Sequence, residues 1–164
     1  MHFRKVGAPF LLAVVLAAAS AAPAIAAATV NVTLRDKGGT MDMSKSMGMG
    51  MGMHGDMKKA MMFVDADKKK VPAGTVTFRV KNASKETIHE MLIAPARDEK
   101  TVLPFVAGEN RVDEEASGHL GEVSELDPGK SGALTLDLKP GVYVLFCNIP
   151  GHYMAGMWTT IKVE

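Results

Sequence analysis

The stretch Val142-Tyr143-Val144-Leu145-Phe146-Cys147-Asn148-Ile149-Pro150-Gly151-His152-Tyr153-Met154-Ala155-Gly156-Met157 organises the reading of the chain. Residues 142–147 are apolar on both faces, the pattern of a strand covered on either side and therefore central to its sheet. Pro150, Gly151 and Gly156 then break the strand into a loop. A thiol, an imidazole and a thioether recur across that loop at Cys147, His152 and Met157.

Working outward, residues 158–164 form the last strand, with Met157 in phase with Thr159, Ile161 and Val163. Upstream of the loop, Pro140-Gly141 turns the chain, residues 133–138 alternate polar and apolar, and Asp127-Pro128-Gly129-Lys130 is a turn, because Pro presets φ and Gly tolerates positive φ. Further strands are expected at 29–34, 61–64, 75–81, 88–94 and 120–126. Residues 95–118 are less regular and acidic, and read as a long connection with a helical turn near Asp113-Glu114-Glu115. Seven or eight short strands with almost no helical period argue for an all-β, two-sheet antiparallel Greek-key sandwich.

Soft sulfur combined with imidazole selects copper among the transition metals, and two His with one Cys and a weak axial Met recur as a site for one-electron transfer. The loop holds one His, so a second must come from elsewhere. His89 fits, since period two places it on the same strand face as Met91 and Ile93. Taken singly, a Cys ending a strand, a His beginning one and a lone Met are more often packing residues; their coincidence is what points to a metal. Structural zinc would want more Cys or His and would not favour a thioether. Met154 competes with Met157 by proximity, and the loop length favours Met157. His119 reads as a surface histidine, and Trp158, facing away from the Met157 row, as packing.

The 164 residues suffice for one domain with a core. Arg4 and Lys5, the apolar run 11–19 and Ala24-Ile25-Ala26 have the layout of a secretory signal peptide, so residues 1–26 are expected to be removed and 27–164 to form the domain. The apolar run is shorter than the roughly 20 residues of a membrane span, so no stable insertion is expected after cleavage. A periplasmic location follows as an expectation. There Cys147, the one cysteine, has no disulfide partner within the chain and suits a metal. Without Arg4 and Lys5 the formal charge is −1, and nine aromatic residues, two of them in the leader, form no stacking platform; nucleic acid is not expected as a partner.

Nine of the 13 methionines lie between 41 and 62. With abundant Gly and no steady apolar period, this part reads as a flexible insertion. Met41, Met43, Met47, Met49, Met51, Met53, His54 and Met57 could supply a second, Cu(I)-binding site, because neutral thioethers are soft donors that are not lost to protonation. Copper resistance, storage or delivery is therefore the alternative to electron transfer.

With Cys-x₄-His-x₄-Met and an upstream His on a strand, the chain resembles the cupredoxins, the small blue copper proteins, with a loop closest to the rusticyanin and sulfocyanin type. The resemblance covers residues 71–164 and the first strand. It implies one type 1 copper with His89, Cys147 and His152 as trigonal ligands and Met157 as the axial one. It also implies a monomeric carrier, not an enzyme, that passes electrons to redox protein partners through His152, with Pro150, Gly151 and Tyr153 in an apolar docking patch. Where many cupredoxins carry Asn after the first His, this chain has Glu90. Enzymes of this fold wire a second copper centre through His residues beside the Cys, and here Phe146 and Asn148 stand there.

Overall fold

A computed structural model provides the structure, and it describes residues 27–38 and 47–164. The expectations for the leader 1–26 and for Met41 and Met43 lie outside the described residues. The strands are β1 (Ala28–Asp36), β2 (Met62–Ala66), β3 (Lys70–Val71), β4 (Gly74–Asn82), β5 (His89–Ala96), β6 (Phe105–Val106), β7 (Arg111–Val112), β8 (Gly121–Leu126), β9 (Ser131–Leu138), β10 (Gly141–Phe146) and β11 (Trp158–Val163). One short helix, α1 (Glu114–Ser117), falls where the acidic turn is expected; Asp113 caps it by accepting from the Ala116 N–H.

Two sheets form, in the orders β2-β1-β4-β9 and β3-β11-β10-β5-β8, beside a small β6-β7 ribbon. Most neighbours are antiparallel, while β1 with β4 and β3 with β11 run parallel. The parallel pairs arise because the chain leaves the first sheet after β2, pairs β3 with the second sheet, and returns as β4 beside β1.

Alternation decides which side chains meet between the sheets. Along β4, Val76, Phe78 and Val80 point inward while Thr75, Arg79 and Lys81 stay outside. They pack with Val30, Val32 and Leu34 of β1 against Met91 and Ile93 of β5, Tyr143 and Leu145 of β10, and Ile161 and Val163 of β11. Phe78 is fully enclosed in this layer. Phe78→Ala is expected to cost about 3–5 kcal/mol through lost burial and the cavity left behind, read as a lower denaturant midpoint.

The opposite face of β10 is buried too, as its apolar sequence requires. Val144 and Phe146, with Leu92 and Ala94 of β5, are covered by Leu103, Val112, Tyr153, Met154 and Met51. The expectation of a flexible insertion is therefore corrected for residues 47–60. Met49 and Met51 are buried, and a 3-10 turn at Met57–Lys59 leads through buried Ala60 into β2. Unbranched thioethers fill irregular gaps well, and they do so here over a sheet face that would otherwise be exposed.

Candidate metal centre

Three strand ends converge at one end of the sandwich. His89 is the first residue of β5, where a β-bulge against β8 shifts the register between His89 and Met91. The extra residue lies on β8, so β5 keeps its period of two and His89 stays on the buried face of Met91. Cys147 follows β10, and Met157 precedes β11. The loop between them closes on itself, because the Cys147 N–H donates to the Met157 carbonyl at 3.1 Å and the Met157 N–H to the His152 carbonyl at 3.1 Å.

The side chains follow the backbone. His89 Nδ1 lies 3.2 Å from His152 Nδ1, and Cys147 Sγ lies 3.4 Å from the same nitrogen. All three ligand atoms fall within 4.8 Å of one another, and all three residues are buried. Met157 is fully buried in the same apolar layer as Cys147, whereas Met154 belongs to the layer on the outer face of the sheet. That separation favours Met157 over its competitor as the thioether on the Cys147 side.

The surroundings prepare these donors for a cation. His89 Nε2 is 2.9 Å from Ser84 Oγ and 3.4 Å from Asp36 Oδ2. A proton held there leaves the Nδ1 lone pair facing Cys147 and His152. Asn82 sets this arrangement: its amide donates to the carbonyls of Thr87 and Leu126, and its side-chain oxygen accepts from the Ser84 N–H. Burial lowers His152 to about 4, with His89 adding to the effect, and burial holds His89 below the ordinary imidazole value against the pull of Asp36. Both rings are therefore neutral, as ligands must be. Burial pushes the Cys147 thiol up to about 12, opposed by backbone N–H groups of Glu90 and Ile149 that favour the thiolate. The thiol does not ionise unaided at neutral pH, and a bound cation is what displaces its proton. Two imidazoles, one thiol and one thioether in a closed pocket fit copper by donor chemistry.

Glu90 replaces the expected amide with a carboxyl whose Oε1 accepts from the Asn148 N–H at 3.1 Å. Burial, then Glu122 and Glu114, raise it to about 7 from 4.5. Below that pH it keeps a proton and can donate, which an ionised carboxylate cannot. Its folded form holds a proton that the unfolded chain releases above about 4.5, so its contribution makes folding less favourable as pH rises toward 7. In copper-free protein, the stability of Glu90→Gln relative to wild type is expected to grow by about 1–2 kcal/mol between pH 4.5 and 7, after allowance for solvent screening. Denaturant titrations at the two pH values check this; a constant or shrinking difference excludes it.

Residues 50–164 match copper binding proteins of the plastocyanin/azurin family. The chain belongs to that family. This cupredoxin shares its fold with reduced rusticyanin, at 19% identity and a TM-score of 0.51, over 83% of this chain and 79% of that one. Rusticyanin from Thiobacillus ferrooxidans matches at 19% identity and 0.51 over 83% and 77%. Reduced auracyanin from Roseiflexus castenholzii matches at 22% identity and 0.49 over 84% and 96%. No curated relative matches the sequence. His89, Cys147 and His152, with Met157, supply one type 1 copper site of this cupredoxin.

Other candidate residues sit elsewhere. Tyr153 and Gly151 are buried, so of the three residues expected to face a partner only Pro150 is exposed. A 3-10 turn at Tyr153–Ala155 rotates the tyrosine inward against Phe105 and Phe146. Of the described residues named for the second site, Met49 and Met51 are buried, Met53 is half-buried, and Met47, His54 and Met57 are exposed. His119 is half-buried outside the copper pocket, its nitrogen within 4.8 Å of carboxylate oxygens of Glu114 and Glu122. Asp36, Asn82 and Ser84 were not legible as supporting residues, because no spacing ties them to the ligands.

Proposed function

We propose that this cupredoxin is a periplasmic carrier of single electrons that exchanges them with protein partners through His152. The observation that carries this is the two-sided placement of His152. Its Nδ1 faces Cys147 and His89 inside, while the residue lines a cleft of about 780 Å³ outside, together with Ile88, Ile149 and Pro150. Copper supplies the one-electron couple when bound. The polypeptide holds the donors in place through the Cys147–Met157 and Met157–His152 backbone bonds, which supports a small rearrangement on electron transfer.

Beside Glu90, whose carboxyl is raised to about 7, the same cleft is lined by Glu86, Glu114, Glu122 and Glu125 against the single cation Arg111. This charge favours partners with a positively charged face, whose association slows as salt rises. Catalysis by a second copper centre lacks support, since Phe146 is buried and the Asn148 amide bonds to Val112 and Glu114. Storage by the Met-rich segment has less support than electron transfer, because two of its methionines are used in packing. The leader layout of residues 1–26 supports export.

The test combines copper titration, redox titration and cell fractionation. One copper per chain, a reversible one-electron step and salt-sensitive exchange with a cationic cytochrome are expected. Turnover of oxygen or nitrite, several coppers per chain or retention of unprocessed protein in the cytoplasm would overturn the corresponding part.

A further inference from the structure

The Met-rich segment lies across the loop that carries Met157. Three hydrogen bonds join them. The Met49 N–H donates to the Met154 carbonyl at 3.0 Å, the Met51 N–H to Tyr153 Oη at 2.9 Å, and Trp158 Nε1 to the Met49 carbonyl at 2.7 Å. The three partners, Tyr153 and Met154 on the loop and Trp158 at the start of β11, lie within four residues of Met157.

The approach is close enough to require glycine on both sides. A Cβ on Gly50 would stand 2.6 Å from Tyr153 Cε1 and 3.1 Å from Met154 Sδ; one on Gly156 would stand 2.9 Å from Ala60 Cβ, at a φ of +95°. The Met and Gly content of this strap therefore has a packing reason.

We propose that Tyr153 and Trp158 are positioning residues through which the strap, residues 49–60, fixes the Met157 thioether relative to Cys147 and His152. The proposal rests on the copper reading above. An axial thioether is a weak, long ligand, so its place is set by the chain that carries it more than by the metal. Met157 is tied inward, by its N–H to His152 and by its carbonyl to Cys147. Its neighbours are tied outward to the strap. Loosening the outer ties lets the sulfur move while the Cys and His donors stay.

Tyr153→Phe removes the oxygen that accepts from Met51 and also meets the Leu103 backbone, Trp158→Phe removes one donor, and Gly50→Ala wedges strap from loop. Gly108→Ala is the control, since a Cβ there meets nothing within 4 Å. In copper-loaded protein the first three are expected to shift the reduction potential and the visible spectrum, and to release copper to a chelator roughly 3–10 times faster, the factor carried by one lost hydrogen bond. In copper-free protein, hydrogen exchange at the Met157 amide is expected to rise by a similar factor in the same variants. Lowered melting temperature with unchanged spectrum, potential, copper release and Met157 exchange overturns the proposal and leaves the strap as packing alone. If Gly50→Ala fails to fold, Tyr153→Phe, which deletes a single atom, decides the matter. A wild-type protein without a blue thiolate band overturns the copper reading instead, and the Met157 exchange comparison then judges the strap on its own.

Discussion

Cys147→Ser is expected to abolish the intense blue absorption of the copper-loaded protein while the sandwich stays folded. The band of a blue copper site belongs to the copper–thiolate pair, and Cys147 is the one thiol of the chain. No other sulfur can substitute, because methionine sulfur is a neutral and weaker donor. A serine hydroxyl ionises far less readily than a thiol, in a pocket that already pushes the Cys147 thiol up to about 12. The fold should survive, because the change removes little volume and the hydroxyl can use His152 Nδ1, 3.4 Å from the sulfur it replaces, as a partner. A destabilisation of about 1 kcal/mol is expected. Visible absorption at full copper loading and circular dichroism measure the two halves of this prediction. A blue band that persists in the variant would show that the metal centre lies elsewhere.

The second large effect separates the ligands from one another. His89→Ala is expected to lower copper affinity at least about 100-fold, beyond the 10–100-fold typical of losing a supporting residue. It removes one of the three strong donors of the four and leaves Ser84 Oγ and Asp36 Oδ2 without the imidazole they face. Met157→Ala is expected to retain copper with a changed reduction potential, since the axial thioether is the weakest donor of the set. It should instead lose about 2–5 kcal/mol of fold stability, because Met157 is fully buried in the layer between the sheets. Competition against a chelator of known affinity, alongside denaturant unfolding, distinguishes the outcomes. Equal loss of copper in both variants would show that the ligand ranking is wrong.

Much of this site was legible because its ligands follow local rules. Cys147, His152 and Met157 lie on one loop, and strand parity alone put Met157 in phase with Ile161 and Val163, as the structure has it. His89 was found the same way, from its phase with Met91 and Ile93. Residues 142–147 read as a doubly covered strand, and both faces of β10 are buried. The errors concern surfaces. The family resemblance implies an outward Tyr153 in the docking patch, yet a single 3-10 turn carries it under the Met-rich strap. That strap reads as flexible from composition, because its burial depends on the outer face of β10 and not on any period of its own.

The sequence by itself determined the eight longer strands, the donor set and the metal class, because alternation and ligand chemistry are written in neighbouring residues, whereas the two-residue strands β3, β6 and β7 are too short to show a period. Only the tertiary structure decided which partners hold those donors. Asp36 and Ser84 behind His89, Glu90 against Asn148, and Met49 and Met51 over the ligand loop come from separate segments that meet through sheet pairing. Such contacts depend on register and layer packing across long stretches of chain, and no local spacing encodes them.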